Sequence, residues 1–321
     1  MKKSAFIALF LLAVSPYVFS TDFFNDLDMV YLGMDDGSFD SYVIGDGSQS
    51  FTEQRWVSPF LLNRYETTYD LWYSVKETAE SMGYVFKNPG QEGSKGKRGA
   101  KPTESGKFEP VTNICWYDAV IWCNAFSEIS GLDACYVYDG KILKDATDTA
   151  KLDLCQCLWE KNGYRLPSET EWEYAARKTS SGFQTGLLVS GQVNEQGNED
   201  SSIPEEEVCW NGNNADSTRT VGTAGTPWQK NAPPKPGSGN PNGSGIFDMC
   251  GNVLEFTWDW MGNYKISLPL KRYTGPEIGS QRVSRGGSWS LYTPFYCAGD
   301  RYSFDPNETY NYMGFRIART K

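Results

Sequence analysis

Eight cysteines, at 115, 123, 135, 155, 157, 209, 250 and 297, and no histidine anywhere in 321 residues define the chemistry open to this chain. Ser-His-Asp and Cys-His catalysis, zinc-protease helices and His-ligated iron all require an imidazole. What stays open is carboxylate, thiol or tyrosine chemistry, oxygen-ligated calcium, or binding without a reaction. An even number of thiols permits disulfides in an exported chain but assigns no pairing. Cys155-Gln156-Cys157 has no second such pair, and Cys123 falls on a helical apolar stripe, so these are read as structural thiols.

Two carboxylate groupings stand out. Glu169, Glu171 and Glu173 follow Arg165-Leu166-Pro167-Ser168. Ser168 and Glu171 make a reciprocal capping box, and solvation or an Arg165 pair accounts for the other two better than acid–base chemistry does. Asp248 and Glu255 flank the Gly251-Asn252 turn, whose carbonyls would complete the oxygen set a hard cation takes. From spacing alone, an Asx turn ahead of a strand is the simpler account.

A third grouping has no acid–base logic. Ser290 to Tyr312 carries Tyr292, Phe295, Tyr296, Tyr302, Phe304, Tyr310 and Tyr312 among Ser, Thr, Gly, Asp, Asn and Pro, with no Lys, Gln, Trp or Met. Rigid aromatics give contact area at small entropic cost and short polar residues give adaptable hydrogen bonds, the composition of an antibody paratope. A Tyr-rich irregular core segment has the same composition. Its flanks look like framework: Arg285-Gly286-Gly287-Ser288-Trp289 on one side and the alternating Met313-Gly314-Phe315-Arg316-Ile317-Ala318 on the other.

The elements that must position these residues are short. Residues 28–42 and 51–63 alternate apolar and polar, as antiparallel strands do. Thr67 caps a first helix carrying Leu71, Trp72 and Val75 and stopped by Gly83. Ala119, Trp122, Cys123 and Phe126 fall at helical spacing before Gly131, and a hairpin turns at Asp139-Gly140. Trp172, Ala175 and Ala176 give the helix after Ser168 a face that can approach its neighbour closely. Residues 87–109, 178–208 and 221–245 read as surface loops inserted over a fixed scaffold, and Lys95-Gly96-Lys97-Arg98 as a solvated part of the first.

After two lysines, residues 4–18 form an apolar run too short to span a bilayer, with small residues ahead of Thr21. It reads as an export signal over residues 1–20, leaving 21–321 as the mature domain in an extracytoplasmic location: secreted, periplasmic or at the cell surface. No cysteine precedes Cys115, which removes the lipid-anchored version of such a signal, and no second run of spanning length follows. Losing Lys2 and Lys3 takes the formal charge from −10 to −12, which repels nucleic acid and anionic lipid.

Four stretches in order, PVTNICWYDAVIWCNAF, NGYRLPSETEWEYAAR, GIFDMCGNVLEFTWDW and RVSRGGSW…MGFRIAR, resemble the formylglycine-generating enzyme (sulfatase-modifying factor) family. The resemblance covers about residue 28 to the end and implies an α+β, loop-rich, C-type-lectin-like fold of that family's type. The family's enzymes use two cysteines, five residues apart after the Gly-Gly-Ser turn, to bind copper and activate oxygen. Those positions are Leu291 and Tyr296 here, and Cys297 alone cannot make a two-sulfur site. A family calcium site maps onto Asp248, Gly251, Val253 and Glu255, so a structural calcium ion is expected and no other cofactor is required.

The framed, thiol-free, Tyr-rich segment is similar to the variable proteins of diversity-generating retroelements, treponemal ones among them, which use this fold. In that group adenine-directed mutagenesis rewrites Asn codons. The products include Tyr, Ser, Phe, Asp, Thr, Leu, Pro and Gly but never Lys, Gln, Met or Trp; among residues 290–312 Glu308 departs from the set. The expectation is an exported, non-enzymatic binding protein whose variable segment of about 288–312 displays Ser290, Leu291, Tyr292, Phe295, Tyr296, Gly299, Asp300, Tyr302, Ser303, Phe304, Asp305, Tyr310, Asn311 and Tyr312 to a protein or glycan ligand. The rivals are a copper oxidase of cysteine and a calcium-dependent lectin.

Overall fold

Eight short strands and two packed helices build the frame of the computed structural model, which describes residues 28–45, 52–229, 231–264, 272–292 and 295–321. The expected export signal lies outside the described residues. The strands are β1 (Met29–Leu32), β2 (Phe60–Asn63), β3 (Tyr164–Arg165), β4 (Leu254–Trp260), β5 (Arg282–Arg285), β6 (Arg301–Phe304), β7 (Met313–Gly314) and β8 (Ala318–Arg319). They form two four-stranded sheets, β1-β2-β8-β3 and β6-β5-β4-β7. The closing stretch 313–319 therefore enters both sheets, which ties the two ends of the domain together. The fold is α+β and rich in loops, and no helix among the described residues is long and apolar enough to cross a membrane.

Helix α1 (Tyr69–Ser81) begins at Thr68, whose hydroxyl accepts from the Leu71 amide, one residue later than expected. Thr67 is committed instead to strand-like main-chain bonds with Phe315 and Val111. Helix α2 (Trp116–Ile129) is buried from Trp116 to Ser127, so its apolar stripe wraps its whole circumference. Trp72 of α1 and Trp122 of α2 stack with centroids 6.0 Å apart, and the Phe315 ring stands edge-on to both at 6.1 and 5.4 Å. The hairpin of Tyr136–Tyr138 and Lys141–Ile142 turns on Asp139 and Gly140, both at positive φ, as that two-residue connection requires.

After a short α3 (Thr149–Asp153), helix α4 (Glu169–Arg177) opens with the expected capping box of Ser168 and Glu171. Its Trp172, Ala175 and Ala176 enter a second core with Met249, Cys250, Tyr296 and Ala298. The small alanines let the Asn242 side chain reach the Ala175 carbonyl at 2.9 Å. Residues 87–109 are less loop-like than expected, because Gln91–Glu92 pairs with Val111–Thr112. Lys95 pairs with Asp216, and Arg98 donates to the Asn113 side chain.

Candidate binding face

The glutamates of α4 are buried, not solvated, and they hold the frame of the Tyr-rich segment. Arg165 makes a bidentate pair with Glu171 at 2.7 and 2.8 Å, not with its neighbours. Glu169 takes Arg301 of β6 through two bonds of 2.7 Å. Glu173 takes Arg177 at 2.6 Å and also Arg285 of β5. Burial raises the Glu173 pKa while Arg285 and Arg177 oppose that rise. With both partners in place the group is a structural anion rather than an acid–base catalyst.

From this frame the segment is held largely by its own main chain. Arg285 donates to the carbonyls of Asp300 and Ala298. The Gly212 amide donates to the Leu291 carbonyl at 2.7 Å, Trp116 to Pro306 at 3.1 Å, Asn113 to Tyr310 at 3.0 Å and Leu254 to Tyr312 at 2.8 Å. The amides of Ala298 and Gly299 donate to the carbonyls of Leu188 and Gly186. Each of these bonds survives a change of side chain.

The residues of the segment divide into three classes. Tyr292 and Phe295 are 57% and 56% exposed, high for aromatics of their size, and Asp305 is exposed as well. Ser290, Leu291, Asp300, Tyr302, Ser303, Phe304, Tyr310, Asn311 and Tyr312 are half-buried. Phe304 stands edge-on to Tyr310, which stacks on Tyr312 at 4.8 Å. The Tyr302 hydroxyl donates to the Phe295 carbonyl at 2.7 Å and joins the two parts of the face. Tyr296 and Gly299 depart from the expectation of display. Tyr296 is fully buried in the second core with its hydroxyl on Glu205, and Gly299 is closed over by the 186–188 loop. Both are framework, because a ring held by apolar neighbours and a carboxylate has no surface left to offer.

All eight cysteines are free thiols. Cys297, beside Tyr296, has its pKa pushed up to about 12 by burial first and by Asp300 next, so it carries little thiolate at neutral pH.

The Asp248 turn is electrostatically loaded. Asp248 lies at positive φ, one carboxylate oxygen accepting from the Gly222 amide at 2.5 Å and the other buried without a hydrogen-bond partner. Burial raises its pKa to about 6. Glu255 is spent on Arg316, at 2.5 and 2.7 Å, and on the Trp172 indole at 2.8 Å. Glu66, which no spacing argument singled out, is buried against the same turn and accepts from the Val253 amide at 3.0 Å. Burial, then Asp248 and Glu255, push its pKa well above the usual range. The lone Asp248 oxygen fits a cation, whereas Glu255 is already balanced by a guanidinium. Among the described residues no three acidic or thiol side chains converge as a metal cluster.

Glu205 and Gly212 were also missed. Glu205 lies in the 178–208 loop and Gly212 between that loop and the next, and only the folded chain brings them under Tyr296 and Tyr292.

The sulfatase-modifying factor enzyme 1-like domain matches residues 31–321. A chaperone protein, LppX, of Paenibacillus barcinonensis is 30% identical over 277 residues, covering 83% of this chain and 81% of its own. The formylglycine-generating enzyme of Bos taurus is 31% identical over 166 residues, half of this chain and 40% of the enzyme's length. Among solved structures, Treponema denticola variable protein 1 superposes with a TM-score of 0.67 at 27% identity, covering 91% of this chain and 95% of that one. A structure titled CarF superposes at 0.65 with 24% identity, over 92% and 98% of the two chains, and speaks to the fold alone.

Proposed function

This chain belongs to the sulfatase-modifying factor enzyme 1-like family, and from that premise we propose that it is an exported, non-enzymatic receptor whose Tyr-rich segment is an interchangeable ligand-binding face. The observation that carries the reading is the division of labour within residues 288–312. Main-chain carbonyls and amides hold the segment to the frame, while Tyr292, Phe295 and Asp305 point to solvent. A face fastened this way keeps its shape when its side chains are rewritten. Likeness to a treponemal variable protein over nine-tenths of both chains supports the same reading, and a relative named as a chaperone keeps a polypeptide ligand within it.

Loss of the enzymatic reaction follows from Leu291 and Tyr296 standing at the family's two copper-binding positions. Cys297, protonated at neutral pH, cannot replace a thiolate pair. Calcium belongs to the scaffold in this reading. An ion at the turn would rest on the second Asp248 oxygen and the Gly251 and Val253 carbonyls, with Glu255 adding charge shared with Arg316, and would supply stability rather than a sugar-binding ligand.

Two measurements test the proposal. Binders selected on the mature protein from a displayed peptide library or a glycan array should lose affinity at least roughly tenfold with Tyr292→Ala/Phe295→Ala, while thermal stability changes by no more than about 0.5 kcal/mol, as for surface residues. Copper(I) should bind no more tightly than to a Cys297→Ser variant, and no oxygen should be consumed with a thiol peptide. Oxygen uptake, or unfolding of the double variant, overturns the reading.

A further inference from the structure

We infer that the ligand is a polypeptide segment taken up in extended form along the free edge of β6, as a fifth strand of the β6-β5-β4-β7 sheet. The inference rests on the reading of this segment as a binding face and adds the chemistry of what binds. Strand β6 is the terminal strand of its sheet and pairs with β5 in unbroken register over four residue pairs, from Arg301 opposite Arg285 to Phe304 opposite Arg282. On its other side, no backbone–backbone bond among the described residues reaches Tyr302, Ser303 or Phe304. At the opposite end of the sheet, β7 is buried.

Proteins guard such an edge with lysine, proline, a bulge, an inward-pointing charge or a covering loop, and of these β6 carries the inward-pointing charge at its first residue, Arg301. The residues 302–304 carry no lysine or proline, and the register shows no bulge. Arg301 is turned inward onto Glu169, and Ser303 onto the Gln281 side chain at 2.9 Å. What the edge presents is a row of N–H and C=O groups at the repeat of an extended chain, which only another extended main chain can match group for group.

The side chains then act as selectors. Tyr302 and Phe304 both lean toward the larger core, on the face that holds Tyr310 and, through the Tyr302 hydroxyl, meets Phe295. Alternate residues of an added strand would meet this ring row. Asp305 and Glu308, both exposed just past the end of β6, give that end of the groove a preference for a basic residue. Main-chain recognition supplies affinity independent of the side chains, and the rewritable rings supply specificity. A glycan or a folded protein docking flat against the rings would have no use for the edge.

The test uses the intact mature protein and linear dodecamer peptides selected on it from a displayed library. Each selected peptide is rescanned with N-methyl residues, which remove one main-chain donor at a time. Alternate positions should weaken binding roughly tenfold, the size of a lost, desolvated hydrogen bond, with interleaved positions unchanged. Amide exchange within 302–304 should slow in the complex, and Ser303→Pro should abolish binding. Because the N-methyl scan alters only the peptide, it decides the matter even if that variant unfolds. A flat scan on peptides that still depend on Tyr302 and Phe304 overturns strand addition and leaves the binding face standing, as does a face that takes only glycans. Dimerisation of the free protein through β6, broken by Ser303→Pro, overturns it too. Peptides indifferent to Phe295→Ala, Tyr302→Ala and Phe304→Ala bring down the binding face itself.

Discussion

Two buried arginines at the two ends of β5 show how differently the same charge is accommodated. Arg285 answers Glu173 and holds the segment at the carbonyls of Ala298 and Asp300. Among the described residues Arg282 has no carboxylate in an ion pair with it: its guanidinium lies between the rings of Trp116 and Trp260, 3.6 and 3.4 Å from their centroids, and donates to the Trp258 carbonyl at 2.6 Å. Burial lowers its pKa to about 9. Removing one member of a buried pair strands a charge, whereas removing a cation held by rings strands none and leaves only the Trp258 carbonyl without this donor. Glu173→Gln should therefore cost about 3–5 kcal/mol, since it leaves both Arg285 and Arg177 undercompensated. Arg282→Met should cost about 1 kcal/mol, as lost cation–π attraction is offset by relief of desolvation. Chemical denaturation of the two variants checks the order, and equal losses would mean the ring cage is as costly to disturb as the ion pair.

Among the elements, the Gly286-Gly287 turn between β5 and the Tyr-rich segment has little freedom. Both residues lie at positive φ, and a methyl group on Gly287 would sit 2.4 Å from the Tyr296 Cβ and 3.1 Å from the Phe295 carbonyl. Strain and collision add, so Gly287→Ala should destabilise the protein by about 2 kcal/mol or more and displace Tyr296 from Glu205. That turn was legible in the sequence because only its local backbone demand matters, as it was for the Ser168 cap and the Asp139-Gly140 hairpin. Long-range partners were not legible. Nothing in the spacing of Glu169 and Glu173 foretells Arg301 and Arg285, more than a hundred residues on. Tyr296 has the composition of a displayed ring and the environment of a core one, a distinction made by the insertion that brings Glu205. Thr67 lost the cap to Thr68 because pairing with Phe315 and Val111 claimed its backbone first.

At the scale of the molecule, the frame is coupled to the face by a polar chain that titrates near neutrality. Glu109, at the end of the 87–109 loop, accepts from the Thr218 hydroxyl at 2.5 Å. Thr218 in turn bonds Ser94, whose carbonyl accepts from the Asn311 side chain at 3.3 Å. Burial first raises the Glu109 pKa from 4.5 to about 7; Glu92 adds to the rise, and Thr218, Arg219 and Lys95 oppose it. The native state thus keeps a proton that the unfolded chain releases near 4.5. The contribution of protonated Glu109 to stability is fully present below that pH and is lost as pH rises through about 7. Glu109→Gln holds the neutral form at every pH. It should melt with the parent at pH 4, melt above it at pH 8, and show a flatter dependence of Tm on pH between them. Stronger protection of the Asn311 side-chain amide at pH 5 than at pH 8, each relative to the intrinsic exchange rate at that pH, and lost as a difference in Glu109→Gln, would place the effect on the chain of bonds to the face. A parent and variant whose Tm curves run parallel would assign the titration elsewhere.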